Sequence, residues 1–320
     1  MHFLFYHALA GLAIVEMEIL CYNEKRKGGK EDGMNLERKK KAQQVGLLGR
    51  FMAKLPSSCP LLYPLYLAAR LDTKEETYAS SLWPREFDGF KIAYVSDIHY
   101  GSLLGEKRVR ELADRVNALH ADIVLLGGDY GEHSDGALEF FQLKPGFRAN
   151  IAVLGSFGNH DRTLPEENVD RIARAMRQDG VIPVLNDAYM LQRNGKKIAF
   201  ASTDDFYNGT PKLEKVARLC EKADFTIFFP HNPDILPETQ KMPRGLFYQL
   251  AICGHTHGGQ VAVCGKAIKS SSMYRNRYLS GWFREAGADI LVSNGVGTSG
   301  LPVRLGARAQ INVLTMKTKA

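Results

Sequence analysis

Five short apolar runs, each ending in a cluster of oxygen- and imidazole-bearing side chains, constrain this chain more than any other feature. The runs occupy residues 92–96, 123–126, 151–154, 225–229 and 250–253. Their length and their β-branched, aromatic and leucine content predict strands. Between the first two, Val109, Leu112, Val116 and Leu119 share one face of a helix. A second helix follows Pro165, with Val169, Ile172, Ala173 and Met176 inward and Gly180 placed to end it. A third spans roughly 212–222, and the tail adds strands at 290–292 and 311–315. From Phe90 onward this alternation predicts a layered α/β domain.

The polar residues fall where such strands end. The first run leads into Ser96-Asp97-Ile98-His99, the second into Gly127-Gly128-Asp129 and the third into Gly158-Asn159-His160-Asp161. The fourth leads into Pro230-His231-Asn232, and the fifth into Gly254-His255-Thr256-His257-Gly258-Gly259. In open α/β sheets the carboxyl ends of strands converge on one crevice. Five of the nine histidines sit in these junctions. In an extended segment alternate residues face one side, so Asp97 and His99 are expected to reach one cation, and His255 and His257 to do the same at the opposite wall. Asp129 carries two oxygens, enough to bridge two cations about 3.5–4 Å apart. The flanking glycines let the backbone turn and approach closely. Taken singly, Asp-x-His is a common chance match, Gly-Asp a common turn, and a lone His231 a common core residue. Their joint order at five strand ends specifies a metal centre.

These strings resemble those of the calcineurin-like metallophosphoesterases, whose ordered signature of Asp-x-His, Gly-Asp, Gly-Asn-His-Asp/Glu, His and Gly-His-x-His is met in full by residues 97–257. VSDIHYG, GGDY, GNHD, HNPD, GHTHGGQ and the late NGVGTSGLPVRL are similar to the bacterial YkuE/YaeI-type branch, over about residues 88–316. The resemblance implies a four-layer αββα sandwich, two mixed β-sheets flanked by helices. It implies two divalent metal ions, manganese by preference and iron or zinc otherwise. Asp97, His99 and His257 are then expected to hold one metal, Asp129 to bridge, and Asn159, His231 and His255 to complete the second site. A hydroxide shared by the two ions would attack phosphorus in line. His160 stands as the catalytic acid, with Asp161 orienting its imidazole. Tyr130, where the family more often has an aliphatic residue, is expected to touch substrate shape.

Ahead of this domain, placed at 86–320, lies an apolar and basic extension, residues 1–85. Residues 3–15 are apolar apart from His7, but too few for a membrane span, which needs about 20. Little positive charge precedes them, unlike a secretory signal. A Lys/Arg-rich stretch at 25–41 and a second apolar segment at 61–71 follow. Apolar segments around a basic run suggest an interfacial anchor on an anionic membrane surface, with the domain cytoplasmic at the inner face of the membrane. A basic linker followed by a packed helix is the alternative. Met34 offers a second start, which would leave 1–33 outside the protein. The five scattered cysteines form no CxxC pair, which argues against a zinc knuckle and against a disulfide framework.

A net charge of +7 favours anionic partners. Arg162 is a candidate to steer phosphate, and Arg193 a weaker one. The stretch 266–284 interleaves Lys269, Arg275, Arg277 and Arg284 with Tyr274, Tyr278, Trp282 and Phe283, and is expected to border the crevice. Because the resembled branch includes enzymes that cleave the pyrophosphate of UDP-2,3-diacylglucosamine, a lipid-linked phosphodiester or pyrophosphate is the leading substrate class. Soluble nucleotides or phosphoproteins are the alternative, and a non-catalytic scaffold the third reading. No nucleic acid is expected, since the charge is not gathered in a recognisable binding module.

Overall fold

The computed structural model describes residues 67–319, apart from 133, 164, 165 and 264. In chain order the strands are β1 (Leu71–Ser80), β2 (Lys91–Val95), β3 (Ile123–Leu126), β4 (Ala152–Gly155), β5 (Val181–Pro183), β6 (Asp187–Arg193) and β7 (Lys196–Ser202). Then come β8 (Phe225–Phe228), β9 (Leu250–Cys253), β10 (Ala262–Val263), β11 (Lys266–Ala267), β12 (Gly281–Glu285), β13 (Ala288–Val292) and β14 (Ala309–Thr318). The helices are α1 (Glu106–Asn117), α2 (Ser134–Gln142), α3 (Glu166–Gln178), α4 (Leu213–Cys220) and α5 (Leu236–Gln240).

Two six-stranded sheets form, in the orders β1-β14-β2-β3-β4-β5 and β12-β13-β9-β8-β7-β6. Both are mixed. Strands β2 to β5 run parallel, with β14 antiparallel beside β2; β7, β8, β9 and β13 run parallel, with β6 and β12 antiparallel at the edges. Each central strand is buried on both faces, so it reads as an unbroken apolar run. On β2, Ile92 and Tyr94 join the core between the sheets, while Ala93 and Val95 face the helices; Ile123/Leu125 and Val124/Leu126 of β3 divide likewise. Facing residues Phe200, Ile227, Leu250 and Ile252 complete the inter-sheet core. Helices α1, α2 and α3 cover one outer face through Val109, Leu112, Val116, Phe140, Val169, Ile172 and Met176. Helix α4 and Leu236 cover the other through Val216 and Cys220 against Ala199, Phe228 and Cys253. The architecture is the four-layer αββα sandwich.

Strand β1 lies before the division placed near residue 85, yet it pairs with β14 along its whole length. Its sequence, LDTKEETYAS, is mostly polar because an edge strand needs little apolar surface and is protected by charge. Just ahead of it, Ala68 and Ala69 pack on Leu103. No helix among the described residues is long and apolar enough to cross a membrane. Of the expected amino-terminal anchor, residues 3–15, 25–41 and 61–66 lie outside the described residues, as does Pro165, whereas Leu67, Ala68 and Ala69 of its second apolar segment are buried and Leu71 opens β1. Cys220 and Cys253 are buried free thiols.

Candidate dinuclear metal centre

Loops leaving the carboxyl ends of β2, β3, β4, β8 and β9 bring the motifs together. One donor atom each of Asp97, His99 and His257 lies within 4.8 Å of the others, and Asp129, His231 and His255 form a second such group; all six side chains are buried. Asp129 Oδ2 stands between the groups, 3.2 Å from His231 Nε2 and 3.6 Å from His99 Nε2. Asn159 Oδ1 is 2.9 Å from His255 Nδ1, which places it with the second group.

The outward nitrogens of two rings, those of His231 and His255, make hydrogen bonds that decide which nitrogens face inward, and a carboxylate stands beside that of His99. His231 Nδ1 donates to the Gly127 carbonyl at 2.8 Å. His255 Nε2 donates to the Ser271 carbonyl at 3.3 Å, and His99 Nδ1 lies 3.0 Å from the Glu132 carboxylate. When neutral, His231 and His255 therefore present a lone pair inward toward an acceptor oxygen, Asp129 Oδ2 and Asn159 Oδ1, while His99 Nε2 faces His257 Nε2 at 3.1 Å. Outward hydrogen bonds that fix the tautomer are the arrangement of metal-binding histidines. The buried Nε2 of His231 faces the Asp129 carboxylate at 3.2 Å. Acceptors facing acceptors in a buried site need positive charge between them, so this donor set fits divalent cations.

The charges agree. Burial opposes ionisation of Asp129, but His231, His160 and His99 outweigh it and hold the carboxyl well below its usual range. Burial also opposes a charged His231, yet Asp129 dominates and raises it to about 10. Without metal that pairing keeps a proton between Asp129 and His231, at the place where a cation would leave the ring neutral. Burial, with His231, pushes His255 down to about 4; burial, with His99 and Arg304, pushes His257 well below its usual value. Both rings thus favour the neutral form that ligates metal.

The local backbone is not extended as expected. Asp97, His99, Asp129, His255 and His257 all have left-handed φ, from 47° to 68°. Asp97 and His99 reach the same group through tight turns, whereas His255 and His257 serve different groups. Such conformations cost about 1–3 kcal/mol each and persist only where surroundings over-determine them. Here His255 N donates to Asp97 Oδ1 at 2.9 Å, His99 N to the Asp129 carbonyl at 3.0 Å, and Gly297 N to the Asp97 carbonyl at 2.8 Å. Glycine is obligatory at two contacts: a Cβ on Gly158 would meet Asp129 Oδ1 at 2.1 Å, and one on Gly254 would meet Asp97 Oδ2 at 2.5 Å.

A family model of calcineurin-like phosphoesterases matches residues 90–259, more than half of the chain. The chain belongs to that family. Its relatives include the uncharacterized metallophosphoesterase YkuE of Bacillus subtilis, 29% identical over 80% of this chain and 89% of the relative. The phosphodiesterase YaeI of Escherichia coli is 26% identical over 71% and 82%. Among solved structures, a dimetal phosphatase from Danio rerio covers 65% of this chain and 88% of its own at 11% identity, with a TM-score of 0.44. The chain is accordingly a metal-dependent phosphoester hydrolase of a family that uses divalent metal ions in a dinuclear site.

Several residues of this phosphoesterase take places other than those expected. Asp161 does not touch the His160 ring. Its carboxylate is fully buried and accepts from the backbone amides of Asp129 (2.8 Å), Gly158 (2.8 Å) and Tyr130 (3.0 Å), so it ties two ligand loops together. His160 Nδ1 donates instead to the Glu132 carbonyl at 2.6 Å, and its backbone N donates to Asp129 Oδ1 at 2.9 Å. Tyr130 does not shape the substrate site; it is a core residue, stacked on Phe140 with its hydroxyl donating to the Ser156 carbonyl. Arg162 is engaged in a 2.9 Å ion pair with Asp204, nearly excluded from solvent, which spends the charge meant for phosphate. Arg193 lies over the Phe87 ring and donates to the Glu86 carbonyl, on the amino-terminal side of the domain. Of the stretch 266–284, Ser271 borders the centre, whereas Tyr278 is buried and Trp282 stacks on Tyr78 at the sheet edge.

Two residues outside the expected ligand and catalytic sets carry roles in the site. Glu132 orients His99 through its carboxylate and His160 through its carbonyl. Arg304, in the late LPVRL string, is fully buried, and among the described residues no carboxylate lies within ion-pair distance of it. It donates to the carbonyls of Asn294, Gly297, Ala307 and His257 at 2.6–3.2 Å, and its Nη2 lies 3.3 Å from His257 Nδ1. It thereby locks the 294–307 segment beneath the His257 loop.

Proposed function

We propose that this phosphoesterase hydrolyses a lipid-borne phosphodiester or pyrophosphate, with Asp97, His99 and His257 holding one cation, Asn159, His231 and His255 a second, and Asp129 shared. The position of Asp129 Oδ2 between the two donor groups carries the reading. Bound there, two divalent ions, manganese before iron or zinc, supply Lewis acidity toward phosphoryl oxygens and a water ionised near neutral pH. The protein's own contribution is a proton at a defined atom. Since the Glu132 carbonyl can only accept, Nδ1 of His160 keeps its proton, and Nε2 is the nitrogen that delivers one to the leaving oxygen.

The diester preference draws on the name of YaeI, a phosphodiesterase. The lipid part draws on Tyr207, whose ring lies 5.5 Å from that of His255 while 40% exposed, an apolar wall at the mouth of the centre. A place at the inner face of the cell membrane follows from this reading. The test is a substrate panel with manganese-loaded protein. UDP-2,3-diacylglucosamine and other lipid pyrophosphates should exceed soluble diesters, cyclic nucleotides and phosphopeptides at least about tenfold in kcat/KM, worth about 1.4 kcal/mol of transition-state binding. Equal or reversed preference would move the substrate to the soluble class. Two bound metals with no turnover on any of them would indicate a scaffold.

A further inference from the structure

No aspartate or glutamate occurs between Glu238 and Glu285, a span holding Lys241, Arg244, Lys266, Lys269, Arg275, Arg277 and Arg284. Four of these cations have carboxylate partners: Lys241 with Glu238, Arg244 with Glu221, Arg277 with Glu285 and Arg284 with Asp289. The other three do not. Among the described residues, no carboxylate lies within ion-pair distance of Lys266, Lys269 or Arg275, and all three are exposed. Interleaved with them are two large apolar side chains in open solvent, Ile268 at 58% and Met273 at 57%. Singly exposed apolar residues need no explanation, but two set among unpaired cations on one loop do.

The loop is built rather than loose. The β10–β11 hairpin carries it out, pairing Ala262 with Ala267 and Val263 with Lys266. Ser270 Oγ then donates to the Arg275 carbonyl at 3.0 Å, and Ala267 N to Asn276 Oδ1 at 3.1 Å. Two bonds fix it to the mouth of the metal centre: Ser271 Oγ to the His255 carbonyl at 3.1 Å and Met273 N to Asp234 Oδ2 at 2.8 Å.

We propose that residues 266–275 form a docking rim that seats the mouth of the metal centre on an anionic lipid surface. Cations set around aliphatic tips suit that partner: the charges meet headgroups while Ile268 and Met273 enter the acyl boundary. A nucleic-acid strand would call for exposed aromatic faces on which bases stack. At this mouth Tyr207 offers a single partly exposed ring, and the loop's own aromatics are not free for stacking, since Tyr278 is buried and the Arg277 guanidinium lies over Tyr274 and Tyr278. The proposal extends the lipid-borne reading to how the enzyme meets its substrate. Its readout is docking without turnover, so the two can fail separately.

The test places a tryptophan at the rim of the full, metal-loaded chain, as Ile268→Trp or Met273→Trp, and subtracts the parent emission from Trp83 and Trp282. With vesicles of phosphatidylcholine and about one-third phosphatidylglycerol, the added emission should shift to the blue and be quenched by lipids brominated near the headgroup. Zwitterionic vesicles should leave it unchanged. Each cation near such a surface strengthens binding about fivefold, so Lys266→Glu/Lys269→Glu/Arg275→Glu in the tryptophan background should raise the lipid needed for half-maximal quenching by more than about 100-fold. Turnover of a soluble diester should be unaffected by the triple variant. Emission that stays water-like and unquenched, whether or not the protein binds the vesicles elsewhere, overturns the proposal. So does a larger response to a single-stranded oligonucleotide than to anionic vesicles.

Discussion

Replacing Asp161 with asparagine is expected to damage the fold around the metal centre and to leave the ionisation of His160 alone. The aspartate accepts three backbone amides, those of Asp129 and Gly158 at Oδ2 and that of Tyr130 at Oδ1. An asparagine has one oxygen. Its best orientation keeps that oxygen at the Oδ2 position and turns its NH2 against the Tyr130 amide. One buried donor is then stranded, at about 1–3 kcal/mol, and the two surviving bonds lose charge assistance, at about 1 kcal/mol each. Some of this is returned, because burial and the neighbouring Asp129 already oppose the charge and push Asp161 up to about 7. The balance is a loss of about 2–4 kcal/mol. For a domain of this size that lowers Tm by about 4–16 °C. Calorimetry of the metal-free protein reads the stability, and the pH–rate profile of the loaded enzyme reads His160. An unchanged Tm together with a displaced acidic or basic limb would refute the reasoning and restore Asp161 as the partner of the imidazole.

Other expectations follow from the same structure. Arg304→Lys offers three donors to a nest of carbonyls that the guanidinium fills, so it should cost about 2–4 kcal/mol and reduce metal occupancy by atomic-emission analysis. Arg304→Met should do worse on both counts, and identical behaviour of the two variants would deny the hydrogen-bonding role. His160→Gln should retain its metals and lose about 10²–10⁴-fold in rate, most with poor leaving groups; equal losses across leaving groups would contradict the acid assignment. Asp179, just past the end of α3, is pushed up to about 6 by burial. A carboxyl raised in the folded state stabilises most below its ordinary value, and that contribution is lost as pH rises through about 6. Asp179→Asn should therefore raise Tm at pH 8 and leave it unchanged at pH 4, and an equal change at both would contradict this.

Central strands were legible because burial on both faces makes them continuous apolar runs, and 123–126 and 250–253 coincide with β3 and β9. The edges were not. β1 is polar, and the β6–β7 hairpin turns on Asn194-Gly195, both at positive φ, a turn signal that stood in the sequence unread. In the centre, the order of motifs pointed to one crevice, but the division of donors into two groups came with the family resemblance, and the backbone conformation did not follow from alternation. Left-handed φ at Asp97 or His257 is imposed by contacts with loops distant in the chain, which no local pattern encodes. Adjacency likewise misled at Asp161: the turn after Asn159 aims its carboxylate at amides, away from the neighbouring ring. Arg304 was hidden for a different reason. A buried cation satisfied by carbonyls and one ring nitrogen has no acidic partner to betray it in the sequence.

The most direct test of the two-cation centre is a manganese titration of metal-free protein, followed by metal analysis and electron paramagnetic resonance. The structure predicts two equivalents per chain whose spins are coupled through Asp129, with Asp129→Asn binding fewer and showing no coupling. One equivalent, or two that behave as independent ions in the unaltered protein, would contradict the shared-aspartate geometry.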